Sequence, residues 1–154
     1  MTGFVRLRAT LNALPPAPPW PRGTRRLRLA DARPRELHDL LVEAYRDGGG
    51  SVPPFDTWWT GLVEDTEFHP ELVLIAADEN GRPIGMAQCW SGGFIKDLVV
   101  APAWRNRGLG EALLRTALAI FAEQGLQRVD LKVEANNLAA QGFYRRIGLV
   151  EVPS

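Results

Sequence analysis

Arg105-Asn106-Arg107-Gly108-Leu109-Gly110 lies between a strand-like run that stops at Ala101-Pro102 and an apolar-faced helical run that opens at Gly108. The first turn of a helix carries backbone N–H groups with no partner inside the helix, together with the positive end of its dipole. Glycines there let an anion approach without meeting a Cβ. A tight strand-to-helix turn would by itself account for Gly108 and Gly110, but two arginines in the same turn point to a phosphate. The dinucleotide fingerprint needs a third glycine where Leu113 stands, and a phosphate-binding loop needs Gly-Lys-Ser/Thr. Both nucleotide alternatives are set aside.

The neighbouring segments supply the architecture. Upstream, Leu72–Ala77 and Pro83–Trp90 read as apolar strands joined by the turn Asp78-Glu79-Asn80-Gly81, and Phe94–Val100 as a third strand. Downstream, Leu109, Leu113, Ala117, Ile120 and Phe121 recur at helical spacing as far as Gly125, and Val129, Leu131 and Val133 alternate as a strand. Asn137–Ile147 reads as a last helix closed by Gly148, before a short strand Leu149–Val152. Towards the amino terminus, Arg26–Ala30 reads as a strand, Pro34–Tyr45 as a helix ended by Gly48-Gly49-Gly50, and Phe55–Phe68 as a second helix. Five prolines between Leu14 and Pro21 make an extended linker, and Val5, Leu7, Ala9 and Leu11 alternate with polar residues as an extra strand before it. A chain of 154 residues with 45% apolar content suits one domain. The division expected is an extension and linker over 1–21 and one domain over 22–154.

The motifs in this order resemble the GNAT superfamily of acyl-CoA N-acyltransferases. Arg105, Gly108 and Gly110 match its Arg/Gln-x-x-Gly-x-Gly/Ala signature at the head of the helix after the fourth core strand. Asn137-x-x-Ala140-x-x-Phe143-Tyr144-x-x-x-Gly148-Leu149 is similar to the family's Asn-x-x-Ala-x-x-Leu/Phe-Tyr-x-x-x-Gly-Phe ending. The likeness is one of motif over Phe94–Leu149 and of architecture alone before it. It implies an α/β (α+β) fold with a mixed, mostly antiparallel central sheet flanked by about four helices. The cosubstrate implied is acetyl-CoA, with an acetyltransferase (EC 2.3.1 class) activity on an amine.

The resemblance also assigns residues. Leu98, Val99 and Val100 offer a strand edge to the pantetheine amides, and Arg105, Asn106, Arg107, Gly108, Leu109 and Gly110 hold the phosphates. Asn137 touches the pantetheine arm, and Tyr144 points its hydroxyl at the thioester sulfur. A lysine-like amine has a pKa of about 10.4, so only about one in a thousand is nucleophilic near neutral pH and a base is needed. Asp97 is the first choice and Glu134 the second, while Glu111 sits where a helix dipole stabilises a carboxylate anyway and Lys96 could neutralise a phosphate. The bland readings stand beside these: Asp97 caps a turn or pairs with Arg105, Tyr144 packs beside Phe143, and Asn137 caps the last helix. Trp58 and Trp59 either wall the acceptor site or pack beneath the Gly48–Pro54 loop, with Trp90 and Trp104 equally open.

Eighteen basic residues balance eighteen acidic ones, so no global field draws the chain to nucleic acid or to a membrane surface. The single cysteine, Cys89, rules out an internal disulfide and favours the cytoplasm. His38 and His69 lie too far apart, without companions at ligand spacing, to suggest a metal. The acceptor expected is a small-molecule or peptide amine. The alternative is an acyl-CoA-binding sensor or assembly module without turnover. After Gly148-Leu149 the chain has only five residues, fewer than the family's usual strand and hairpin partner. The Val5–Leu11 strand is therefore expected to complete the sheet of its own chain or of a homodimer mate.

Overall fold

A computed structural model describes residues 3–12, 14–48 and 50–154; Met1, Thr2, Ala13 and Gly49, the middle one of the three glycines expected to end the first helix, lie outside them. In chain order the elements are β1 (Phe4–Thr10), β2 (Arg25–Leu27), α1 (Pro34–Ala44), α2 (Phe55–Val63), β3 (Val73–Ala77), β4 (Pro83–Trp90) and β5 (Phe94–Val100). They continue with α3 (Leu109–Glu123), β6 (Arg128–Glu134), α4 (Leu138–Ile147) and β7 (Val150–Val152). The seven strands form one sheet in the order β2-β3-β4-β5-β6-β1-β7, and every neighbouring pair is antiparallel except β5 with β6. This is the mixed, mostly antiparallel sheet with four helices that the motifs imply.

Two apolar clusters hold the layers together. On one face α3 buries Leu109, Leu113, Leu114, Ala117 and Phe121 against Leu7, Ile95, Val129 and Leu131, with Phe143 and Ile147 of α4 packed beside them. On the other, Leu37, Leu41, Trp58 and Leu62 of α1 and α2 cover Val73, Ile75, Met86 and Val99. No residue of β6, β1 or β7 belongs to this second cluster, so that half of the face lies beyond the helices.

Two elements are shorter than their sequence suggests. β2 ends at Leu27 because the chain turns, with the Asp31 amide donating to the Arg28 carbonyl and the Arg28 side chain held by Asp31 at 2.9 Å. α2 ends at Val63 rather than Phe68 because the Asp65 carboxylate accepts from the Glu67 amide at 2.8 Å, a local turn that competes with the helix. The proline run carries neither helix nor strand, and it is tied down: the Trp20 indole donates to the Thr116 hydroxyl of α3 at 3.1 Å.

β1 does more than cover an edge. It lies between β6 and β7 of its own chain, with Leu7 opposite Leu131 and Ala9 opposite Val129 on the core side. β7, only three residues long, forms the outer edge and pairs with Arg6–Arg8. Because side chains alternate along a strand, Arg6 and Arg8 emerge on the opposite face, where Asp130 stands across from Arg8. Arg6 Nε and Arg8 Nε each donate to the Asp130 carboxylate at 2.7 Å, and Arg8 Nη2 adds a third bond at 2.9 Å. The hydrogen bond from Arg8, joined by that from Arg6 and both positive charges, holds the Asp130 carboxyl below its ordinary value despite the opposing effect of burial.

A depressed folded-state pKa stabilises the fold above the unfolded value of about 3.9, and that contribution is lost as pH falls through the lower folded value. Chemical denaturation followed from pH 6 to 2 is expected to show an acid limb that is flattened in Asp130→Asn. That variant should already be less stable at neutral pH by about 1–3 kcal/mol. An unchanged acid limb would contradict the assignment.

Candidate active site

β5 contains an irregularity that shapes the site. Asp97 lies opposite Gln88 and Ile95 opposite Cys89, so Lys96 is an extra residue with no counterpart on β4. The bulge breaks the alternation, which is why Ile95 and Leu98 both join the α3 face while Asp97 and Val99 turn to the α1 face. On its other side β5 pairs with β6 only through Phe94–Asp130 and Ile95–Leu131. Beyond these the two parallel strands run on without further pairing, and a cleft of about 890 Å³ opens between them. Its lining includes Lys96, Asp97, Leu98, Val99 and Val100 from β5, Glu134 from β6, and Asn137, Ala140 and Tyr144 from the start and middle of α4.

Asp97 is the polar centre of this cleft. Its side chain retains only 11% exposure. Tyr45 donates its hydroxyl hydrogen to Asp97 Oδ1 at 2.7 Å, and Lys96 Nζ donates to Oδ2 at 3.3 Å. Arg105, the other partner considered for Asp97, is engaged elsewhere. Burial first, then the charge of Asp97 and the hydrogen bond to it, push the Tyr45 phenol far above its ordinary range. Burial and the same negative charge push Tyr144 up to about 12, so both rings enter the cleft as phenols able to donate. Cys89, beneath the strand, is likewise pushed up to about 12 by burial and by Asp97, and is a buried thiol with no nucleophilic character near neutral pH.

The phosphate motif has the geometry its glycines suggest. Gly108, the N-cap of α3, has φ +85° and no side-chain cap, which leaves the first-turn amides available to a ligand. A Cβ built there would meet no protein atom within 4 Å, so it would stand in open space before the helix. Asn106 is the one residue other than glycine with positive φ, at 62°, among the described residues. The Arg107 guanidinium lies 4.8 Å from the Trp104 ring centroid. Arg105 spans from the Val100 carbonyl at 3.2 Å to the Ala44 carbonyl at 3.1 Å, fastening the end of β5 to the negative C-terminal end of α1.

Other sequence-selected residues fall into place locally. Asn137 caps α4 by accepting from the Ala140 amide at 3.1 Å, and it also lines the cleft. Glu134 lines the cleft, whereas Glu111 is paired with Arg115 one turn along α3 at 3.0 Å. Trp58 and Trp59 do not line the cleft; they pack in a cluster with His38 and Phe55. The residue missed is Tyr45. It follows the last residue of α1, and nothing near it in the sequence marks a partner 52 positions away.

A family model for "Acetyltransferase (GNAT) family" matches residues 34–149, three quarters of the chain, and the chain belongs to that family. Over 89 residues it is 43% identical to the mycothiol acetyltransferase of Clavibacter michiganensis, which covers 54% of this chain and 28% of that protein. Over 87 residues it is 31% identical to N-alpha-acetyltransferase 30 of Schizosaccharomyces pombe, covering 51% of this chain and 57% of that protein. The GCN5-related N-acetyltransferase from Sphaerobacter thermophilus aligns with a TM-score of 0.79 at 28% identity, over 97% of this chain and 48% of that one. The chain therefore spans less than two thirds of the length of each of these relatives.

Proposed function

We propose that this chain is an acetyl-CoA-dependent N-acetyltransferase acting on a primary amine of a small molecule or peptide, by direct attack on the thioester. The observation that carries the reading is the convergence of a carboxylate, Asp97, and a raised-pKa phenol, Tyr144, on a cleft between two splayed parallel strands. A glycine-opened helix start follows β5 in the chain. The names of the Clavibacter and Schizosaccharomyces relatives, a mycothiol acetyltransferase and an N-alpha-acetyltransferase, support the reaction class.

In this reading Arg107, Asn106 and the amides of Leu109 and Gly110 receive the phosphates, with Arg105 holding the loop. Leu98–Val100 and Asn137 flank the pantetheine arm. The amine nitrogen forms a bond to the acetyl carbonyl carbon, the C–S bond breaks, and the amine proton passes to Asp97 while the departing thiolate accepts a hydrogen bond from Tyr144. Tyr45 is a positioning residue, since it orients the Asp97 carboxylate through the 2.7 Å bond. A phenol near 12 is a weaker acid than a thiol by roughly three units, so Tyr144 donates a hydrogen bond to the thiolate without surrendering its proton. Attack is direct because Cys89 is buried and protonated.

Turnover of acetyl-CoA with a panel of amines tests the reading, and Tyr144→Phe is expected to lower kcat about tenfold to a hundredfold with little change in KM. In the wild type, kcat is expected to show no fall between pH 8 and 10.5 from loss of the Tyr144 proton, because Tyr144 ionises only near 12. A fall near pH 10 that disappears in Tyr144→Phe would contradict this role.

A further inference from the structure

The open half of the sheet face contains a second recess, of about 460 Å³, that adjoins the cleft: Phe94 lines both. Its walls include Arg6, Arg8 and Arg128, with Glu67 and Asp130. Both carboxylates are committed within the protein. Asp130 takes three hydrogen bonds from Arg6 and Arg8, and Glu67 Oε1 accepts from the Gly92 amide at 2.9 Å. Three guanidinium groups against two carboxylates leave one positive charge in excess. The bonds to Asp130 use only Nε of Arg6, so its two terminal nitrogens keep their donors. That guanidinium is also steadied over the Phe94 ring, 5.6 Å from its centroid.

The cleft beside this recess holds two carboxylates where the amine would react, Asp97 and Glu134, with Lys96 bonded to the first. Phe94 is opposite Asp130, and Asp97 lies three residues further along β5. At about 3.3 Å per residue these two positions on β5 are at most about 10 Å apart, the bulge at Lys96 shortening the run.

From this juxtaposition we infer that the acceptor is bipolar, an amine with a carboxylate about 10 Å from it, whose carboxylate sits against Arg6, Arg8 and Arg128. One excess positive charge matches a monoanion, and the guanidinium fork fits a carboxylate in two-point contact. An extended tripeptide with a free C-terminus has the required span, since three residues reach about 10 Å. The inference rests on the acetyl-transfer reading for the place of the amine. It also makes β1 part of substrate selection, because two of the three arginines come from that strand.

The test is the affinity of triglycine and of triglycine amide for the full chain saturated with coenzyme A, measured by titration calorimetry. The free acid is expected to bind at least tenfold more tightly than the amide. The double variant Arg6→Gln/Arg128→Gln, which leaves Asp130 its two bonds from Arg8, is expected to bring the ratio close to one. Equal affinities in the wild type, undetectable binding of both peptides, or a ratio unchanged in the double variant would each overturn the proposal. The thermal shift with acetyl-CoA, recorded on the same preparations, reports separately on the coenzyme site. A shift without acid preference sinks the bipolar acceptor alone, and no shift sinks the reading beneath it.

Discussion

Removal of residues 1–20 is expected to abolish the cooperative thermal transition. β1 is an interior strand paired along Phe4–Thr10 with β6 and, at Arg6–Arg8, with β7. Without it Leu7, which is fully buried, and the buried Ala9 and Leu11 leave the larger core cluster. Truncating a buried leucine to alanine alone costs about 3–5 kcal/mol, while an entire domain is stable by about 5–15 kcal/mol. The deletion would also strip the buried Asp130 carboxylate of both guanidinium partners and leave β7 with nothing to pair. Scanning calorimetry and far-ultraviolet circular dichroism would show the loss. The point variant Leu7→Ala, expected to fall by about 3 kcal/mol in urea with an unchanged slope, scales the effect without removing the strand. Two results would contradict the assignment: a truncated chain melting like the full one, or its recovery as a folded monomer by mass. A folded dimer would mean that the exposed β6 edge had recruited another strand.

What could be read in the sequence follows from the range over which its signals act. The strand–loop–helix at Phe94–Glu123 and the cap at Asn137 are local, set by a proline, by glycines and by side chains a few residues apart, and their positions agree with the structure. Alternation marked Val5–Leu11 as a strand, but which strands it would separate depended on matches such as Leu7 with Leu131, more than a hundred positions away. The bulge at Lys96 left no trace in composition, because it exists only in relation to β4. Tyr45 was invisible for the same reason: a tyrosine after a helix is unremarkable until the chain folds Asp97 against it. Asp97 and Tyr144 could be nominated from motif position alone, whereas the recess at Arg6 and Arg8 required the register of β1.

Gly108→Val is expected to eliminate the stabilisation that acetyl-CoA confers. A ligand present at a hundred times its dissociation constant stabilises by about 2.7 kcal/mol, which for a domain of this size raises Tm by roughly 5–10 °C. Gly108 has φ +85°, so a side chain with Cβ strains the turn by about 1–2 kcal/mol. It lies in open space, however, so the variant keeps its core and should melt only a few degrees below the wild type. The added valine then stands before the uncapped amides of α3, where a phosphate must approach, and the shift disappears. Gly110→Ala is the matched control. A Cβ there meets Phe143 Cζ at 3.6 Å and Val100 Cγ2 at 3.7 Å, ordinary contacts inside the fold, so the shift should persist. If Gly108→Val kept a full shift, the coenzyme would have to bind away from the α3 start. If Gly110→Ala alone lost it, the decisive feature would be the packing of α3 against α4 and β5 rather than access to the helix amides.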